Sequence, residues 1–294
     1  MRNDKLSVSM PRIVAHRGAS AIAPENTLAA FRLARTMGAD AFELDCSLSA
    51  DDCPIVLHDA EVNRTTSGKG RAHDLPLATL RTFDAGSWKD AVYRGERIPL
   101  LEEALALADE HFHVLIEIKA HDDEARLLQA IDTWAGDVPS LNEADLARLV
   151  RQVDAEAHPI AKLTRIVIDR VRTCKAERCA VIQSFSALAC AIALHESPDI
   201  RTEFLGADHP VSRDRWEEYL RLGYLLGVAG FNISLDSVTP GRLAAFHAAS
   251  RSVAVWTVDK EEDMRRLCRW GVDAIITNEP DVCRSVLQSM NLQE

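Results

Sequence analysis

A chain of 294 residues with 47% hydrophobic and 27% charged residues has the balance of a globular protein and is long enough for one large barrel domain. Its formal charge of -11 argues against nucleic acid as a partner, because phosphate-backbone binding draws on many unpaired Lys and Arg, whereas one small phosphate needs only two or three local cations. The longest apolar runs, such as Tyr224 to Gly230 and Val253 to Val258, fall well short of the ~20 residues that cross a bilayer, so no membrane span is expected.

Met1 to Pro11 lacks an apolar signal core, which makes the cytoplasm the expected location. Short β-branched or apolar runs then recur at Ile13 to Ala15, Ala41 to Leu44, Val114 to Ile118, Ala180 to Gln183, Thr202 to Leu205, Gly230 to Ser234, Val253 to Thr257 and Ala274 to Thr277. Each is followed by a polar turn and a stretch with helical spacing, and eight such units predict an α/β fold, a TIM (β/α)8 barrel. Pro24 is expected to start the first helix, with Leu28, Phe31 and Ala34 on its buried face and Gly38 as its stop. After the second strand, Cys46 to His58 reads as a hairpin turning at Asp51-Asp52, followed by a Gly-rich, helix-poor excursion through Thr65 to Gly70. Residues 46–100 are therefore expected to form a small subdomain inserted in a single domain spanning 1–294. His121 to Lys162 has room for two helices, one near Glu143 to Ala155, and is a candidate lid or interface. Ala207 to Gly223, with Trp216 and Tyr219, is expected to add a helix near the barrel mouth. Asp259 reads as the N-cap of a helix that buries Met264 and Leu267. The seven cysteines are odd in number and scattered, which predicts free, structural thiols.

Polar residues at the C-terminal ends of barrel strands surround one open mouth, so those positions carry the chemistry. His16-Arg17-Gly18 ends the first strand. Glu43 and Asp45, two apart and so on one side of an extended chain, end the second; Glu117 and Lys119 repeat that spacing on the next barrel strand, and His58-Asp59 closes the hairpin. Three carboxylates converging on one mouth repel unless a cation sits among them. All-oxygen ligation by Glu43, Asp45 and Glu117 suits Mg²⁺, Ca²⁺ or Mn²⁺ better than Zn²⁺. Arg17 and Lys119 are placed to grip an anion bridging to that metal. His16 and His58 can divide the proton removal and delivery that phosphodiester cleavage needs near neutral pH. Taken singly, each of these residues has an ordinary structural role; their joint placement on one edge is what makes the set functional.

Quoted in order, His16-Arg17-Gly18-Ala19-Ser20, Pro24-Glu25-Asn26-Thr27, Glu43-Leu44-Asp45, Pro54-Ile55-Val56-Leu57-His58-Asp59, Arg64-Thr65-Thr66, Ile98-Pro99, Leu101-Glu102-Glu103, Glu117-Ile118-Lys119, Gln183-Ser184-Phe185, Trp256-Thr257-Val258 and Gly271-Val272-Asp273 resemble the motifs of the glycerophosphodiester phosphodiesterase family over nearly the whole chain. The resemblance implies hydrolysis of a small-molecule glycerophosphodiester to sn-glycerol 3-phosphate and an alcohol, an activity of lipid and glycerol metabolism. By motif position it implies His16 and His58 as acid and base, Glu43, Asp45 and Glu117 as ligands of one divalent cation, Mg²⁺ or Ca²⁺, and Arg17 and Lys119 as phosphate contacts. A route through a cyclic phosphate formed by the glycerol 2-hydroxyl would also fit the family. The alternative within enzymes is a phospholipase-D-like activity on lysophospholipids, which requires an apolar groove beside the mouth, with Trp216, Tyr219 and Leu220 as its candidates. A catalytically dead barrel is disfavoured, because both histidines and all three acids are present.

This chain departs from the family pattern at two places: Asp259 stands where Asn is common, and Asn278 where Asp is common. Both precede helices and cap them about equally well, so the exchange reads as structurally neutral. Trp256, at the mouth end of its strand, joins Arg17 and Lys119 as a substrate-binding candidate, with core packing as its other reading. Gln183 and Phe185 are either pocket lining or core. Glu25 and Asn26 either position the first loop or cap its helix, and Asp59 is expected to fix the turn or orient His58.

Overall fold

In the computed structural model, which describes residues 10–119, 140–208 and 213–291, each of the eight apolar segments is a strand. They are β1 (Arg12–Ala15), β2 (Ala41–Leu48), β4 (His113–Ile118), β5 (Ala180–Ser184), β6 (Arg201–Gly206), β7 (Gly230–Ser234), β8 (Ser252–Trp256) and β9 (Ala274–Thr277), with β3 (Pro54–Val56) as a short addition. β1 pairs in parallel with both β2 and β9, so the eight long strands close into a barrel. The TIM barrel expected from the sequence is the fold observed. Both faces of the sheet are covered, which is why the strands read as continuous apolar runs. Val14, Ala41, Leu115, Val181, Ala254 and Ile276 point inward and pack together. Their neighbours Ile13, Phe42, Leu44, Ile116, Ile182 and Phe231 belong to the larger outer core that includes the helices.

Several local expectations are corrected. The first helix runs Leu28–Thr36 and is capped by Thr27, whose side chain accepts from the Ala30 amide. Pro24 lies in the preceding turn, its carbonyl taken by the Thr27 hydroxyl at 2.7 Å. The helix after β6, Arg213–Leu226, is the barrel's return helix between β6 and β7 and not an extra one. Trp216 and Tyr219 are 2% and 9% exposed. Tyr219 stacks on Phe204 and donates its hydroxyl to the Phe204 carbonyl at 2.9 Å. These rings are core, and no lipid groove is built from them. Helices occupy Glu143–Ala155 and Pro159–Thr173; the remainder of the segment expected as a lid, residues 120–139, lies outside the described residues.

β2 runs past the barrel rim and folds back on β3 in antiparallel register, Cys46 opposite Val56 and Leu48 opposite Pro54. Asp52, at φ +60°, makes the turn. The chain from there to Leu100 has its own apolar cluster of Ile55, Leu57, Val62, Ala72, Leu80, Ala85 and Ile98. Gly68 packs beneath Phe83 so closely that a Cβ there would lie 2.2 Å from the ring. None of the seven cysteines forms a disulfide. Among the described residues, no helix is long and apolar enough to cross a membrane.

Candidate active site

Inward alternation along β2 aims Glu43 and Asp45 into the barrel mouth. The parallel register sets Asp45 beside Glu117 and Glu117 beside Gln183. One oxygen from each of Glu43, Asp45 and Glu117 lies within 4.8 Å of the others, and all three residues are buried. Burial first, then Asp45 and Glu117, pushes the Glu43 carboxyl well above the usual carboxylate range. Burial and Asp45 likewise raise Glu117, against the pull of Lys119. Asp45 goes the other way: burial alone would raise it, but Lys119, Arg17 and His58 together hold it below its ordinary value.

Two cations share this nest of acids. Lys119 Nζ lies 3.0 Å from Asp45 Oδ1 and 2.5 Å from Glu117 Oε1, and Arg17 Nε lies 3.2 Å from Asp45 Oδ2. Asn26 donates to that same Oδ2 at 2.7 Å. Asp45 Oδ1 is buried with no well-aligned donor, and Lys119 is the positive charge beside it. The turn after β1 places Arg17 in the left-handed region at φ +57° and Gly18 at φ +81°, and there the Arg17 amide donates to Glu43 Oε2 at 2.9 Å. A Cβ on Gly18 would meet the Ala30 backbone at 2.6 Å, so the turn is pinned to the first helix.

The two histidines enter from different elements. His16 follows β1, and its Nδ1 faces Asn278 Oδ1 at 2.8 Å; burial and then Arg17 lower its pKa. His58 ends the hairpin with Nδ1 2.7 Å from Asp59 Oδ1. The bond from Arg64 is the largest influence on Asp59, which falls to about 2. Arg64 also pairs with Glu25, and Glu25 with Arg17, each at 2.8 Å. An ion-pair chain therefore links the two histidine-bearing loops. A backbone bond adds to it: the Leu57 amide donates to the Asp45 carbonyl at 2.9 Å.

These groups open on one cavity of about 200 Å³, lined by His16, Arg17, Glu43, His58, Glu117, Lys119, Gln183, Phe185, Leu205, Trp256, Thr257 and Ile276. Asp45 sits under its floor as the most buried of the acids. Trp256 is a wall: its Nε1 donates to the Asn232 carbonyl at 2.9 Å, and its ring meets half-exposed Phe185 edge-on at 5.7 Å. A larger cavity of about 380 Å³ adjoins through Lys119, lined by Leu48, Asp59, Ile160 and Leu163 among others. It contains none of the three acids.

His16, Arg17, Glu43, His58, Glu117, Lys119 and Trp256 line this cavity and Asp45 clusters with the other two acids, whereas Trp216 and Tyr219 lie in the core. Asp59 orients His58 as expected, and Glu25 and Asn26 position the loop while Thr27 caps the helix. Reading by residue type gave no role to Arg64, whose partners are distant in sequence. It also passed over Asn232, which donates to Gln183 at 2.6 Å from inside the barrel; a polar residue at an inward position of an otherwise apolar strand was the available signal. The cap reading of Asp259 is wrong. Lys260 holds the N-cap position of helix Glu261–Trp270 without a side-chain bond, and Asp259 reaches across to Asn278 at 2.7 Å. The two departures from the family pattern are in contact with each other and, through Asn278, with His16.

Comparison with known proteins gives one consistent result. The model of the "Glycerophosphoryl diester phosphodiesterase family" matches residues 16–130 and 149–282. The chain is 32% identical to a glycerophosphodiester phosphodiesterase of Caldanaerobacter subterraneus, covering 92% of this chain and 94% of that one. It is 30% identical to a glycerophosphodiester phosphodiesterase of Bacillus subtilis, over 93% and 85% respectively. Among solved structures it is similar to an Oleispira antarctica phosphodiesterase in complex with the product sn-glycerol-3-phosphate, with a TM-score of 0.75, 25% identity and coverage of 95% and 97%.

Proposed function

Since the chain belongs to the glycerophosphoryl diester phosphodiesterase family and is an enzyme of that class, we propose that it hydrolyses glycerophosphodiesters to sn-glycerol 3-phosphate and an alcohol, using one divalent cation, Mg²⁺ or Ca²⁺, and the histidines His16 and His58. The carrying observation is that both imidazoles and two of the three clustered carboxylates, Glu43 and Glu117, border one cavity, with Asp45 buried beside those two. The product bound to the Oleispira relative supports the choice of substrate.

Glu43, Asp45 and Glu117 would hold the cation. Their oxygens are close enough to share an ion, the Asp45 Oδ1 atom lacks an aligned donor, and the raised Glu43 and Glu117 carboxyls mark negative charge in need of compensation. A bound divalent cation supplies Lewis-acid stabilisation of the phosphoryl oxygens. Arg17 and Lys119, already drawn to the acids, reach the same phosphate and add fixed positive charge where negative charge develops. Trp256 and Phe185 border the glycerol or alcohol. His16 and His58 take the proton from the attacking water and return one to the departing alkoxide. The reading extends to a cytoplasmic enzyme of glycerol and lipid metabolism, supported by seven cysteines that form no disulfide, and to residues 46–100 as an inserted subdomain, supported by their separate apolar cluster.

The deciding experiment incubates chelator-stripped protein with glycerophosphocholine, glycerophosphoethanolamine and lysophosphatidylcholine under a panel of Mg²⁺, Ca²⁺, Mn²⁺ and Zn²⁺. Release of sn-glycerol 3-phosphate that depends on Mg²⁺ or Ca²⁺ is expected. Full turnover by metal-free protein would remove the cation from the mechanism, and a preference for the lysolipid would remove the substrate assignment.

A further inference from the structure

We infer that Asn278, oriented by Asp259, is a positioning residue that holds His16 as its Nδ1–H tautomer, so that Nε2 is the nitrogen left to accept a proton in the cavity. This rests on the role proposed above for His16. The constraint begins at Asp259. Its Oδ1 accepts from the Asn278 amide of the backbone at 2.8 Å and from the Thr277 hydroxyl at 3.1 Å, and its Oδ2 lies 2.7 Å from Asn278 Nδ2. A carboxylate offers only acceptors, so the side-chain amide must turn its NH₂ toward Asp259 and its oxygen away. That oxygen meets His16 Nδ1 at 2.8 Å and the Ser20 hydroxyl at 2.7 Å. An amide oxygen carries no proton, so Nδ1 must supply one. With the proton on Nε2 instead, two lone pairs would oppose each other at that distance.

The partner of His16 is neutral, whereas His58 faces the carboxylate of Asp59. An amide oxygen accepts from the ring and fixes its orientation without setting a full charge beside it. The remaining charges around His16 are Arg17, Asp45 and Glu25. In the reaction, a water gives a proton to His16 Nε2 as its oxygen bonds to phosphorus, the bond from phosphorus to the alcohol oxygen breaks, and that oxygen leaves with a proton from His58.

The test reads the tautomer directly. In protein labelled with ¹⁵N-histidine, with the His16 signals identified by their loss in His16→Gln, the resting enzyme should have the proton on Nδ1, and Asn278→Leu should lose that bias. Asn278→Leu should also lower kcat/KM at least ~10-fold with KM little changed. Asn278→Asp alone sets two carboxylates face to face and should be more damaging than the paired exchange Asn278→Asp with Asp259→Asn. That pair keeps the contacts with roles reversed and puts the charge beside His16, so the acidic limb of the kcat/KM profile should move up by about one pH unit or more. A proton on Nε2 in the resting enzyme, or a folded paired variant with an unmoved acidic limb, overturns the inference. The tautomer measurement needs no turnover, so it stands apart from the test of the acid-base reading, which fails if His16→Gln leaves activity intact.

Discussion

The two sides of the cavity are built differently. On one side, Glu43, Asp45, Glu117 and the His16 turn stand on barrel strands whose register is fixed by neighbours on both edges. On the other, His58 and Asp59 stand on a hairpin that leaves the barrel and rests on a separate apolar cluster. A buried cluster of like charges needs a rigid frame, because small displacements at low dielectric change its energy steeply. A proton donor or acceptor needs access to substrate and solvent, and the side chain of His58 is 34% exposed. Supports that cross between the sides include the Leu57 to Asp45 backbone bond, the Lys89 ammonium on the Ser20 carbonyl, and the chain from Arg17 through Glu25 and Arg64 to Asp59.

The comparison breaks first at the histidines. His16→Ala and His58→Ala should each lower turnover at least ~100-fold while Mg²⁺ binding, measured by calorimetry, survives; equal loss of cation binding would mean that the two sides are not separable. Leu80→Ala, which empties a fully buried position in the inserted cluster, should cost about 2–5 kcal/mol locally. Hydrogen exchange should locate that loss in residues 55–100, and protection lost equally across the barrel strands would contradict a separate core. Arg64→Ala removes one crossing support and should reduce kcat about tenfold, ~1.4 kcal/mol of barrier, with the midpoint of thermal unfolding little changed. The smallest effect is a pH dependence. Glu43 and Glu117 are raised above 4.5 in the cation-free fold, so ionising them opposes folding progressively as the pH climbs past that value. The rise in Tm on adding Mg²⁺ should therefore grow from pH 4.5 upward, and a constant or shrinking rise would place the cation elsewhere.

The barrel was legible because each strand is covered on both faces and so leaves a short apolar signature. Its acids were legible because Glu43 and Asp45, like Glu117 and Lys119, repeat at the two-residue period that places side chains on one face. What was hidden has one physical origin: contacts between segments far apart in sequence carry no periodicity. Arg64 meets Glu25 across 39 positions and Asn278 meets His16 across 262, so neither pairing could be read from spacing. Asp259 was misread for a related reason, since Asp just before a helix has a good local role. A distant partner claimed the side chain instead. Trp216 and Tyr219 were misread because aromatic residues signal burial and binding equally well; Phe204 and Phe231 packed on Tyr219, and Tyr219 on Trp216, decide for burial.

β2 does two jobs with one length of chain: it carries two of the acids inside the barrel and then becomes the outgoing arm of the hairpin that returns with His58. The return arm is latched to Asp45 upstream of the bend, while the bend itself is tied to the inserted segment through Ala50 to Leu75 and Asp51 to Leu77. The same wiring makes a single-residue deletion between Asp45 and Leu48 far more damaging, since it would rotate the returning arm by half a pleat and swing His58 out of the cavity.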